Sequence, residues 1–294
     1  MCTLAECMQD PRRRCAWGFT VLGTNMELWY FDRGQIIVTG LVKWTTVSAF
    51  CVCRHAMHEL NCVYQDLLSV IRFFLPLLFA DLTTLGWDPT VVPTGTPGQF
   101  DITVEDADGT QTVYRTLEVI SSLAVERDTA KATRIYKAVE LKNGTPHGKP
   151  VVLKDVWRQE ELGREGDTLA AIRECDSSQA ARDLIAQRTL TVLHHGDVVL
   201  RSPAVAHPYL DYTRTHVDNA QQFAQKLPLC DPRFLRTGEV LEPHYGKEDG
   251  RRCLLGRMFR YRIVFKEICT TLSHAPFPEV FAAIRDVCEG GDFC

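Results

Sequence analysis

Apolar and polar positions alternate in three short runs near the start of the chain: FTVLGTN, MELWYFD and GQIIVTG. Breaks at Gly23-Thr24-Asn25 and Asp32-Arg33-Gly34 separate them, so two or three strands in a meander are expected. The run Leu67–Ala80 (LLSVIRFFLPLLFA) does not alternate and reads as a buried core helix, kinked or stopped near Pro76. It falls short of the roughly 20 residues a membrane core requires and carries Arg72 and Pro76, so no membrane span is expected. Phe100–Val104 and Thr112–Tyr114 read as strands around Asp108-Gly109. Thr189–Leu193 and Asp197–Leu200 read as two more around a His194-His195-Gly196 turn. Residues 202–250 form a long charged insertion, RYRIVFK (Arg260–Lys266) alternates as a strand, and Pro278–Cys288 begins an amphipathic helix.

The most informative stretch is PHGKPVVLKDVWRQEELGREGDTLAAIRE, Pro146–Glu174. Val151–Trp157 is rich in β-branched residues and follows Gly148-Lys149-Pro150, which marks a strand. Its alternation puts Lys154 on one face with Val152 and Val156. A lysine there is either an edge residue reaching for solvent or a placed charge. In the helix that follows, Leu162, Glu165, Leu169 and Ile172 share one stripe, so Glu165 interrupts an apolar face. The nearest candidate partner for that carboxylate is Lys154. The alternative is a solvated lysine and an exposed helix acid.

Composition narrows the classes. Hydrophobic content of 45% and charged content of 24% are those of a soluble globular chain, long enough at 294 residues for one large domain or two ordinary ones. A net charge of −4 makes no electrostatic case for nucleic acid or an anionic membrane as partner. Twelve cysteines fall short of a disulfide scaffold, and Met1–Asp10 has no secretory pattern, so reduced thiols in the cytoplasm or nucleus are expected. Asn143-Gly144-Thr145 fits a glycosylation acceptor, but without a secretory route it reads as a hairpin turn. Arg12-Arg13-Arg14 reads as solvated surface within a loose start. Cys51, Cys53, His55, His58 and Cys62 form the densest set of potential zinc ligands, though Cys-x-Cys and His-x2-His are not the usual finger spacings. That cluster is not counted among the site residues.

VVLKDVWR, REGDTL and RYRIVFKEICTTL, with GFTVLGTNMELWYFDRGQIIVTG and FADLTTLGWDPTV upstream, resemble the fungal-type protein kinase family in several blocks in the right order. The resemblance implies an α+β fold. A β-rich accessory segment (residues 15–113, with an irregular insert near 46–64) precedes a kinase-like small lobe, hinge and first large-lobe helix (114–294). It implies ATP with magnesium as the cofactor. Lys154 would hold the phosphates and Glu165 would orient Lys154, the strand-lysine and helix-acid pairing of protein kinases. Glu267, Ile268 and Cys269 would form the hinge whose backbone meets the adenine. In the family a glycine-rich loop joins the first two strands of the lobe, TLEVISSL and TRIYKAVEL here. Ala124–Thr133 occupies that place without a glycine, which implies weak nucleotide binding.

No His-Arg-Asp triplet occurs, and Gly-Asp-Phe-Cys at 291–294 follows the first large-lobe helix with no catalytic loop before it. No catalytic or metal-holding residue is therefore assigned, and the chain is expected to be a kinase fragment, or inactive on its own. Two alternatives are a non-catalytic kinase-like module that binds a protein partner and a zinc module built on Cys51–Cys62.

Overall fold

A computed structural model describes residues 9–32, 36–38, 41–43, 70–123, 133–174, 178–203, 205–213 and 258–269. The cysteine-histidine cluster at 51–62, residues 124–132 of the glycine-free loop, most of the 202–250 insertion and the 278–288 helix lie outside the described residues. The fold is α+β, with mostly antiparallel sheets and few helices. It divides into two compact units. One draws on Met1–Pro89, Ala124–Ala130 and Leu200–Met258, the other on Thr90–Leu123, Lys131–Val199 and Phe259–Cys294.

In the first unit β1 (Cys15–Leu22), β2 (Asn25–Asp32) and β3 (Ile36–Val38) form the expected meander, and β4 (Val42–Lys43) also pairs with β2. The basic triplet is not solvated surface. Arg14 donates to Asp211 at 2.7 Å and to the Thr83 carbonyl, and Arg13 stacks 3.6 Å over the Trp87 ring. Gly86, at φ +94°, lies so close to Cys15 that an added Cβ would sit 2.1 Å from the Cys15 carbonyl oxygen. Residues 70–79 are helical (α1) through Pro76. The expectation of a buried helix is corrected here: Leu75, Leu78 and Phe79 are all exposed, and only one stripe turns inward, where Phe73 meets Trp17 and Phe74 meets Phe19. Among the described residues no helix is long and apolar enough to cross a membrane.

The second unit is built on a seven-stranded sheet. Its strands are β5 (Val91–Pro93), β6 (Phe100–Glu105), β7 (Gln111–Leu123), β8 (Thr133–Lys142), β9 (Thr145–Gln159), β10 (Val192–Asp197) and β13 (Met258–Phe265), in spatial order β10-β13-β9-β8-β7-β6-β5. The short strands β11 (Val199–Leu200) and β12 (Tyr209–Leu210) form a separate ladder. Residues 113 and 114, where the sequence placed a segment junction, both lie within β7. Asn143 and Gly144, at φ 52° and 76°, make the two-residue turn between β8 and β9, since both central positions of such a hairpin turn need positive φ.

Two helices, α2 (Glu165–Glu174) and α3 (Gln179–Arg188), follow β9. His194-His195-Gly196 is not a turn; all three lie inside β10, paired to β13. Asp106 compensates for the histidines there, taking the His194 ring at 2.6 Å and the His195 amide at 2.8 Å. Gly196 also lies so near the Glu105 carbonyl oxygen that a Cβ would come within 2.0 Å of it. The sheet therefore curls until β10 meets the end of β6, which encloses one face. Val91, Ile102, Tyr114, Tyr136, Leu153 and Val264 fill that inner face. Val156, Tyr261, Ile263 and Phe265 line the other face, with Leu169 of α2 packed on them.

Candidate functional site

Lys154 and Asp155 are neighbours on β9 and point to opposite faces of the sheet. Lys154 emerges on the face that α2 covers, opposite Ile135 in the ladder, and its Nζ donates to Glu165 Oε2 at 2.6 Å. The pairing expected from sequence is present. It is not buried: the side chains are 26% and 41% exposed. Glu165 also sits differently from the expected stripe. Gly163 and Arg164 end the connection, α2 begins at Glu165, and Leu162 stays exposed in the loop. The carboxylate thus extends from the first helical residue, where the macrodipole favours negative charge.

Three contacts hold that first turn. Gly166 N donates to the Tyr261 hydroxyl at 2.9 Å, and a Cβ on Gly166 would lie 2.4 Å from the His195 ring. Arg164, just before the helix, donates to Asp197 Oδ2 through Nε at 3.0 Å and Nη2 at 2.9 Å. The same buried carboxylate takes a two-pronged pair from Arg158 at 2.9 and 2.8 Å. Burial works against charge on Asp197, but the two guanidinium groups outweigh it and hold its pKa below the ordinary carboxylate value. Burial raises the Tyr261 phenol above its usual range.

Asp155, on the enclosed face, meets Arg260 at 2.9 and 2.6 Å and Arg262 at 3.4 Å, and Arg134 stands opposite it in the ladder. All four side chains are buried. Burial opposes its charge, yet these arginines drive its pKa far below the usual carboxylate range. Arg262 also reaches across the curl to the Thr103 carbonyl and the Thr90 hydroxyl, each at 2.7 Å. Sequence reasoning missed this cluster. The available signal was the alternation of Arg260 and Arg262 with Tyr261 and Ile263 along a strand that is buried throughout.

Glu267 and Cys269 follow β13. The Glu267 carboxylate accepts the Thr191 amide at 2.8 Å, so its side chain fastens the strand exit, and Cys269 is an exposed free thiol. Neither side chain is hydrogen-bonded to Lys154 or Glu165, whose bond to each other is separate from that of Glu267 to Thr191. ATP fits the described residues in one respect. An ammonium has three donors, and the partly exposed Lys154 can address phosphate oxygen while it keeps Glu165. Among the described residues, no group of three or more His, Cys, Asp or Glu is placed to hold a metal ion.

The family model described as fungal protein kinase matches residues 3–291. No curated protein and no solved structure matches the chain. A match over nearly every residue, in a chain whose strand lysine meets the acid at the head of the next helix, places this protein in the fungal protein kinase family.

Proposed function

We propose that this chain forms the nucleotide-holding small lobe of a kinase-fold phosphotransferase that acts on protein hydroxyls. The observation that carries the reading is the 2.6 Å pair between Lys154 on a strand and Glu165 at the head of the next helix. In that role Lys154 neutralises the α- and β-phosphates, and Glu165 keeps the ammonium aimed at them. Glu267 and Cys269, just beyond β13, contribute backbone groups to the adenine. Phosphoryl transfer also needs an aspartate to orient the acceptor and carboxylates to hold magnesium. No motif in this sequence supplies either group, so the reading is nucleotide binding without turnover by these residues.

A second reading, a kinase-like module that binds a protein partner and no nucleotide, draws on the glycine-free sequence Ala124–Thr133. One titration separates the two. A fluorescent ATP analogue is titrated into wild type and Lys154→Met, and displaced with magnesium-ATP. Saturable, displaceable binding that Lys154→Met abolishes while remaining folded supports the first reading. Wild type that shows no binding at millimolar nucleotide overturns it in favour of the second.

A further inference from the structure

We propose that Asp197, acting through Arg164 and Arg158, is the positioning residue that holds Glu165 against Lys154. The ion pair cannot hold itself. Both partners are partly exposed, and such pairs are worth about 0–1 kcal/mol. Little of α2 is anchored by packing: Leu169 reaches the core, while Ile172 is exposed. Glu165 also occupies the first helical position, where a helix end frays unless something fastens it.

Asp197 fastens it. The carboxylate belongs to β10 in the sheet, is buried, and takes two donors from Arg164, the residue directly before Glu165. Arg158 clasps the same carboxylate from the end of β9 and donates through Nη1 to the Leu162 carbonyl at 2.9 Å, which draws in the connecting loop. The strand that carries Lys154 and the helix that carries Glu165 are therefore referenced to one buried anion. The hydrogen bond from the Gly166 amide to Tyr261 and the contact of Gly166 with His195 fix the turn's remaining freedom. Arg173 ties the far end to the Leu190 carbonyl at 2.9 Å, so release of the latch tilts the helix from its head and leaves it attached.

The geometry of the pair stands without any nucleotide; its consequence for phosphate rests on the function proposed above. The test reads the pair directly. An ammonium held by a carboxylate is acylated slowly, so limiting N-hydroxysuccinimide acetate followed by peptide mass spectrometry reports whether Lys154 is engaged. Lys142 and Lys149, near the β8–β9 turn, serve as references in the same molecule. Arg164→Gln is the first variant, because it leaves the Arg158–Asp197 pair to support folding. The expected result is a several-fold rise in acetylation at Lys154 with the references unchanged, and a smaller rise in Arg164→Lys. A direct charge effect has the opposite sign, since loss of a cation near Glu165 strengthens that carboxylate's hold on Lys154. Unchanged or slower labelling of Lys154 overturns the proposal. An equal rise at all three lysines overturns it too, because that is general loosening. No nucleotide enters the measurement, so failure here leaves the ATP reading standing, and failure to bind ATP leaves the latch standing.

Discussion

Lys154 and Asp155 are adjacent in sequence and do opposite work. Asp155 faces the enclosed side of the sheet, where Arg134, Arg260 and Arg262 converge on it and water is shut out. Lys154 faces the helix side, meets one carboxylate, and keeps about a quarter of its surface open. A charge that must remain available to a ligand cannot be satisfied as fully as one that holds a fold together. The difference separates an architectural ion cluster from a candidate site one residue away.

The contrast is tested most severely at the buried end. Asp155→Asn leaves the arginines without their shared carboxylate and should cost about 3–5 kcal/mol, read as a large fall in urea midpoint. An effect below about 1 kcal/mol would show that the arginines have sufficient other partners. Gly166→Ala comes next. The added methyl meets the His195 ring, and overpacking of this kind costs about 1–3 kcal/mol. The same variant should raise Lys154 acetylation, because the head of α2 must move to make room.

Acid sharpens the comparison through linkage. The folded pKa of Asp155 lies below its ordinary value of 3.8, so its stabilising contribution is complete above that value and is lost as pH falls towards the folded pKa. Asp197 shifts in the same direction and carries the same sign. The gap in urea midpoint between wild type and Asp155→Asn should therefore narrow below pH 3.8. A gap that stays constant into stronger acid would contradict the shift. The smallest effect is expected at the site: Lys154→Met should change stability by about 0–1 kcal/mol while it removes nucleotide binding. A loss as large as that of Asp155→Asn would place Lys154 among the architectural charges and end the contrast.

The legible parts of the molecule were those written in local pattern. Period-two alternation found β1, β2 and the strand of Lys154, and Asn143-Gly144 announced its hairpin because few residue pairs tolerate positive φ twice. Lys154 and Glu165 were legible as a pair because a strand followed by a helix folds back within a few residues. The latch was not, since Asp197 is 33 positions from Arg164 and nothing local relates them. The inner cluster was hidden for another reason. Charged residues in an alternating strand normally mark the wet face, but the curl of the sheet dries this one, and curl is a property of seven strands together. The exposed face of α1 was misread because apolar composition alone does not say how much of a helix has something to pack against.

The order of strands in the sheet also sets when the latch can form. Among the described residues, β10 finds its ladder partner only in β13, which stands between it and β9 in the sheet although it comes last in the chain. A ribosome therefore releases Lys154, Glu165 and Asp197 well before the strand that seats Asp197. From Asp197 to Phe265 is 68 residues, roughly 3–14 s of translation at typical rates. Through that interval the nascent chain holds both members of the pair and the carboxylate meant to align them, with no sheet position for that carboxylate to occupy. On this topology the clasp on the head of α2 is completed late, only once the residues through Phe265 are available to seat β10.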